Sequence, residues 1–332
     1  MNTEDDSLTD TNTNIMNYND ISENIQNNPG SRYSIEFREI RKIGQGGFGS
    51  VYHAVNIFDK QSYAIKKIPT SFRGCVTNSE TFTKEVEIMA KINHHNIVRY
   101  HSCWLDASTD KPDILMNTEV VPEWSFGQYP STECANDSHG ENKIVLSNRP
   151  NTKIRLSLCI QMELCDFSLR SYLDNRKEID IEYCYNICVQ LIEGLEYLHT
   201  QHITHRDLNP NNILIKNGQI KISDFGLSID NANYLPSRSA GVKLYLAPEI
   251  TQGGEITNKV DIYSIGIIFY EILQPFVTQM ERFISIKNFI KNKDNDAYLS
   301  SLMHDDPNKR PNIQEIKTFI MSKRCIPFVL DT

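Results

Sequence analysis

The chain lacks an excess of positive charge: 34 Lys and Arg stand against 42 Asp and Glu, for a formal charge of -8. That balance excludes a broad electrostatic grip on nucleic acid or on anionic lipid, because either needs a basic face. No secretory signal opens the sequence, and its eight cysteines (75, 103, 134, 159, 165, 184, 188 and 325) form no CxxC pair and no zinc-ligand spacing. They read as reduced intracellular thiols. Cys184 and Cys188 share one helical face, but Ile187, Leu191, Leu195 and Leu198 continue the same apolar stripe, which makes them core. Long apolar runs are missing too: "IGIIFYEIL" at 265–273 is far below the ~20 residues that span a bilayer, and it contains Glu271. There are no internal repeats. What remains is a 332-residue acidic chain, expected in the cytoplasm, with room for one large two-lobed domain and enough apolar residues to fill its core.

Along the chain the composition changes twice. Residues 1–31 are mostly Asn, Asp, Thr, Ser and Glu, too polar to offset ordering entropy, and are expected to form a disordered tail. From Phe37 to Ile68, short apolar strands are broken by glycines, the pattern of a β meander. Phe82, Val86, Met89 and Ile92 then step at helical spacing. Residues 106–153 turn polar again around "STECANDSHGENK" and read as an irregular insert. "LSLCIQMEL" at 156–164 reads as a buried strand, and from Asp180 the pattern is mainly helical.

Chemistry concentrates in a few motifs. Gly44-Gln45-Gly46-Gly47-Phe48-Gly49-Ser50-Val51 fits G-x-G-x-x-G-x-V, whose glycines let a hairpin turn lie against phosphate oxygens through backbone N–H groups alone. A dinucleotide-binding turn has the same glycines but leads into a helix, whereas here the chain continues as a strand. Lys66, in Ala64-Ile65-Lys66 on the following strand, is matched with Glu85 on the predicted helix; such a pair fixes a cation against phosphate charge. "ITHRDLNPNNIL" then offers Asp207 as the base for a hydroxyl proton and Asn212, five positions on, as an oxygen ligand for magnesium. Asp224, in Asp224-Phe225-Gly226, offers the second. Ala247-Pro248-Glu249 completes an ordered set.

That set resembles the eukaryotic protein kinases from about Ile35 to Phe319. The resemblance implies an α+β, two-lobed kinase fold: a domain at 32–326, with a small β-rich lobe at 32–165 carrying one helix and a larger, mainly helical lobe at 166–326. It implies ATP and Mg2+ as cofactors, with ATP held by the 43–51 loop from Ile43 onward, by Ala64 and Lys66, and at the hinge by Met162, Glu163 and Cys165. It also implies that Asp261 anchors the catalytic loop and that Arg310 pairs with Glu249.

Within the kinases, "GQGGFGSVYHAVN", "HHNIVRYHSCW", "LCIQMELCD", the polar insert and "QPFVTQMERF" are similar to the kinases of the alpha subunit of eukaryotic translation initiation factor 2. This implies a Ser/Thr kinase that restrains translation under stress, with Thr278, Met280 and Glu281 near the docked factor. It implies a back-to-back homodimer through Arg32, Glu36, Asp59, Tyr63 and Tyr100, and activating phosphorylation at Ser237 and Ser239. One subsite departs from the pattern. Ser/Thr kinases place a Lys two residues after the catalytic Asp, on the γ-phosphate, and a Thr that bridges the two; here these are Asn209 and Val242. Asn209 can donate a hydrogen bond there but brings no charge. The departure leaves two readings, a slowed enzyme and a nucleotide-binding scaffold or dimer activator.

Overall fold

The computed structural model describes residues 31–46, 49–70, 79–109, 154–225, 242–292 and 297–323. The remaining tail, the body of the insert and Ser237 and Ser239 lie outside them. Five strands form the small-lobe sheet: β1 (Phe37–Gly46), β2 (Gly49–Asn56), β3 (Ser62–Thr70), β4 (Tyr100–Thr109) and β5 (Ile154–Glu163), in the order β1-β2-β3-β5-β4, all antiparallel. Residues 37–68 are thus the expected meander. The insert, expected from residue 106, begins later, because Asp106 to Thr109 continue β4 in register with β5.

The small lobe holds two helices among the described residues, not one. Besides α2 (Ser79–Lys91), a short α1 (Arg32–Glu36) lies over the sheet. Asp106 holds it there: Ser31 Oγ donates to its carboxylate at 2.8 Å, the Tyr33 backbone N–H at 2.9 Å and the Trp104 indole at 3.1 Å. Tyr33, Phe37 and Trp104 then stack in series, closing a separate small core with Ala54, Ile65 and Cys159. Ser31, expected in the tail, is buried and caps α1 through a hydrogen bond from the Ser34 N–H. Polar composition gave no warning, because a partner 75 positions away makes this ordering worthwhile.

The large lobe starts with β6 (Phe167–Ser168) and α3 (Leu169–Asn175), somewhat before the expected helical onset, and continues with α4 (Ile181–Thr200). Cys184 and Cys188 are buried on the core stripe of α4. Strands β7 (Ile213–Lys216) and β8 (Gln219–Ile222) carry the catalytic segment. After a 3-10 turn at Val242–Tyr245 come α5 (Pro248–Gln252), α6 (Lys259–Leu273), α7 (Gln279–Asn292), α8 (Ala297–Leu302) and α9 (Ile313–Lys323). Helix α6 is mainly apolar and buried nearly throughout, as a helix through the centre of a lobe must be, and it carries two buried carboxylates, Asp261 and Glu271. Among the described residues no helix is long and apolar enough to cross a membrane.

Backbone and charge join the lobes. The Ile222 N–H donates to the Asn96 carbonyl at 2.8 Å, and the Val98 N–H donates to the Ile222 carbonyl at 2.9 Å. At the base of the large lobe, Arg310 grips Glu249 with two hydrogen bonds of 2.6 and 2.8 Å, and its guanidinium is fully enclosed. Breaking one side of a buried pair costs about 3–5 kcal/mol, because it strands a charge away from water. Arg310→Ala is therefore expected to lower the melting temperature by roughly 10 °C. Scanning calorimetry checks this.

Candidate active site

Register on the sheet sets the nucleotide side of the site. Gly44, Gln45 and Gly46 of β1 lie opposite Val51, Ser50 and Gly49 of β2, and Gly47 and Phe48 lie outside the described residues. Gly49 has no alternative: a Cβ there would lie 2.2 Å from the Lys67 carbonyl oxygen. Val51 is in turn opposite Lys66 on β3, and Ala64 is opposite Met162 on β5. The structure thereby brings Val51, Ala64, Lys66 and Met162 onto three adjacent strands. Ile43, also on β1, is partly exposed, and Cys165 is half-buried at the hinge. The Glu163 carboxylate faces elsewhere: it accepts the Arg99 N–H at 2.7 Å and pairs with Lys216 at 3.2 Å and Lys221 at 3.1 Å. Its backbone N–H is also engaged, donating to the Arg99 carbonyl at 2.9 Å.

Lys66 is the point where three elements meet. Its Nζ lies 2.8 Å from Glu85 Oε1 on α2 and 2.9 Å from Asp224 Oδ1 after β8. Burial works to lower its pKa, but the two carboxylates outweigh it and hold the ammonium charged. Asp224 has φ +64°, a left-handed conformation that a non-glycine residue adopts only where its surroundings compel it. Phe225, fully buried, packs its ring against His205 with centroids 5.2 Å apart, which fixes the turn from below.

The catalytic loop hangs from Asp261. This carboxylate, at 0% exposure, accepts the N–H groups of His205 at 2.9 Å and Arg206 at 2.8 Å, and the His199 ring at 2.9 Å. Arg206, at φ +68°, turns the chain so that Asp207 emerges toward the cleft. Asn212 Nδ2 donates to the Asp207 carbonyl at 2.8 Å and to its Oδ2 at 2.9 Å. Its nitrogen being so used, the Asn212 carboxamide keeps its oxygen for a cation. An amide oxygen here and the Asp224 carboxylate form the hard donor set that magnesium takes alongside phosphate, so the residues present fit the metal.

Asn209 has a different place from the one its position in the motif implies. It is 98% enclosed (2% exposed), with Nδ2 donating to the Asp207 carbonyl at 3.1 Å and to its Oδ1 at 3.3 Å. Its Oδ1 accepts the Asn211 N–H at 3.0 Å. The side chain folds onto its own loop and braces Asp207, rather than extending toward a γ-phosphate. Lys243, beside Val242 on the 3-10 turn, is exposed.

The remaining expected residues fall on two surfaces. Thr278 caps α7, its Oγ1 accepting the Glu281 N–H at 3.1 Å while Glu281 accepts the Val277 N–H at 2.9 Å. Met280 projects beside them, and Val277 is 91% exposed. In the small lobe, Arg32 pairs with Glu36 at 2.9 Å, and the Tyr63 hydroxyl donates to Asp59 at 2.7 Å, all within one chain. Tyr100 starts β4 and is half-buried. Sequence reasoning did not single out His199 or His205, whose roles appear only once Asp261 is seen between them.

The match to the protein kinase domain model runs over residues 37–319. The chain belongs to the protein kinase family. The family is one of ATP-dependent kinases that use a divalent metal. Among curated proteins it is 30% identical to an eIF-2-alpha kinase GCN2 of Arabidopsis thaliana, covering 91% of this chain and 26% of the relative. It is 31% identical to the interferon-induced, double-stranded RNA-activated protein kinase of Mus musculus, covering 86% and 51%. It is 28% identical to eukaryotic translation initiation factor 2-alpha kinase 1 of Mus musculus, covering 76% and 60%. The chain thus spans from about a quarter to 60% of these relatives' lengths.

The site predicts its own pH dependence. Burial, with Asp224 nearby, pushes Asp207 up to about 6 despite the opposing pull of His205 and of the two asparagine hydrogen bonds. A raised pKa keeps the proton on at acid pH, and only the carboxylate can accept one. The kcat/KM for a peptide substrate is therefore expected to be flat above about pH 7 and to fall about tenfold per pH unit below about 6. A pH–rate profile measures this.

Proposed function

We propose that the chain transfers the γ-phosphate of ATP to a serine of the alpha subunit of eukaryotic translation initiation factor 2 and so restrains translation under stress. It does so in the cytoplasm, as a back-to-back dimer joined through the small-lobe surface around Arg32, Glu36, Asp59, Tyr63 and Tyr100. Support for the substrate comes from the printed names of the relatives, two of which specify that factor, and from the α7 entry at Thr278, Met280 and Glu281. The single observation that carries the enzyme reading is the bridge of Lys66 between Glu85 and Asp224, with Asp207 braced across the cleft.

In this reading the 43–51 loop, Ala64, Met162 and the hinge backbone from Glu163 to Cys165 enclose the nucleotide, Lys66 holds its phosphates, and Asn212 and Asp224 hold Mg2+. Bound MgATP supplies the phosphoryl group and much of the charge neutralisation. Asn212 and Asn209 aim the Asp207 carboxylate at the serine hydroxyl, whose proton it accepts. Ser237 and Ser239 are proposed as activating phosphorylation sites. A second reading, a nucleotide-binding scaffold, is favoured by one observation, the uncharged Asn209 turned into its loop.

Incubation of the purified chain and purified factor with labelled ATP is expected to label the factor, and Asp207→Asn to abolish that labelling. Met280→Asp is expected to reduce factor labelling at least tenfold more than labelling of a generic serine peptide. No transfer to the factor or to any peptide sinks the enzyme reading. Equal loss on both substrates sinks the docking role of α7.

A further inference from the structure

Beside the start of α7 lies a cavity of about 210 Å3 walled in part by Arg170, Asp174, Arg176, Glu271, Gln279 and Arg282. Three guanidinium groups meet two carboxylates there. Glu271, with a fully enclosed side chain, pairs with Arg170 at 2.5 Å and Arg282 at 3.7 Å and accepts the Tyr245 hydroxyl at 2.5 Å. Asp174 takes Arg170 and Arg282, each at 3.2 Å. Arg176 pairs with no carboxylate among the described residues and donates to the carbonyls of Ile272, Glu271 and Gln274 at the end of α6.

The cavity wall is fastened to the catalytic machinery on two sides. The Arg170 N–H donates to the Pro210 carbonyl at 2.9 Å, three residues past Asp207. Its Nη2 donates at 2.9 Å to the Tyr245 hydroxyl, just before Ala247-Pro248-Glu249. These two bonds set the wall against the loop that carries Asp207 and against the segment that leads into Ala247-Pro248-Glu249.

We propose that this cavity selects an acidic side chain of the protein substrate, close to the serine that is phosphorylated. Both carboxylates in the wall already have guanidinium partners, so a substrate Lys or Arg would meet surplus positive charge and no unpaired acid. A substrate carboxylate meets Arg176, the one guanidinium in the wall that neither wall carboxylate neutralises, and the volume accommodates a Glu side chain with water. The inference rests on phosphoryl transfer to protein serine, not on the identity of the substrate.

The test uses the full chain, MgATP and a single-serine peptide in which Glu, Ala or Lys is placed in turn at each flanking position. Wild type is expected to favour Glu over Lys at one position by on the order of tenfold in kcat/KM, expressed mainly in KM. Gln279→Glu adds a carboxylate at the wall without breaking an ion pair, and is expected to remove that preference; Gln279→Lys is expected to enlarge it. Asn288→Glu makes the same charge change nine residues along α7, and is expected to leave it in place. The proposal is overturned if no position favours Glu, whether because the peptides are labelled equally or because none is labelled, or if the two Glu variants act alike. Glu preference without labelling of the initiation factor sinks the substrate reading alone. A labelled factor with charge-indifferent peptides sinks this proposal alone.

Discussion

The catalytic loop exists in its observed form because one carboxylate, Asp261, is buried beneath it. Burial alone would push Asp261 toward its neutral form, but the His199 ring and the N–H groups of His205 and Arg206 hold it ionised, below the usual carboxylate range. Hydrogen bonds to a charged acceptor contribute about 1.5–3 kcal/mol each, enough to keep Arg206 in a left-handed conformation that costs about 1–3 kcal/mol. From that turn, Asp207 can emerge only toward the cleft. The sign follows from the depressed pKa: this stabilisation is complete above the ordinary carboxylate range and is lost as pH falls through the folded value.

A second constraint ties the lobes to the chemistry. Lys66 reaches Glu85 and Asp224 together only if α2 lies against the sheet and the segment after β8 turns inward. The ion pair is therefore a report on lobe arrangement. Against this intact frame, Asn209 is a local change. Its amide braces Asp207 and brings no charge to the site. Loss of one preorganised donor costs about 10²- to 10³-fold in rate, which slows such an enzyme without silencing it.

Much of this was legible in the sequence because it rests on local pattern. Glycine spacing gave the β1–β2 hairpin, helical periodicity gave α2, and the motif order gave the Lys66–Glu85 pair and the meeting of Arg310 with Glu249. What was missed depends on partners far apart in the chain. Helix α1 and the burial of Ser31 require Asp106, and the cavity beside α7 requires Arg170 to meet Glu271 across 101 positions. Neither leaves a periodic trace. The inward turn of Asn209 was hidden for another reason: the motif names the residue type, while the direction of a short amide is decided by which backbone groups its loop leaves open.

The central claim is that the bracing of Asp207 by Asn209 leaves a working, slowed kinase. It is tested most directly by single-turnover transfer from saturating MgATP to a serine substrate, comparing wild type, Asp207→Asn and the double variant Asn209→Lys, Val242→Thr. The account predicts transfer by wild type well above Asp207→Asn, and a gain of about 10²- to 10³-fold in the double variant. Wild type no faster than Asp207→Asn, with activity appearing only in the double variant, would contradict it.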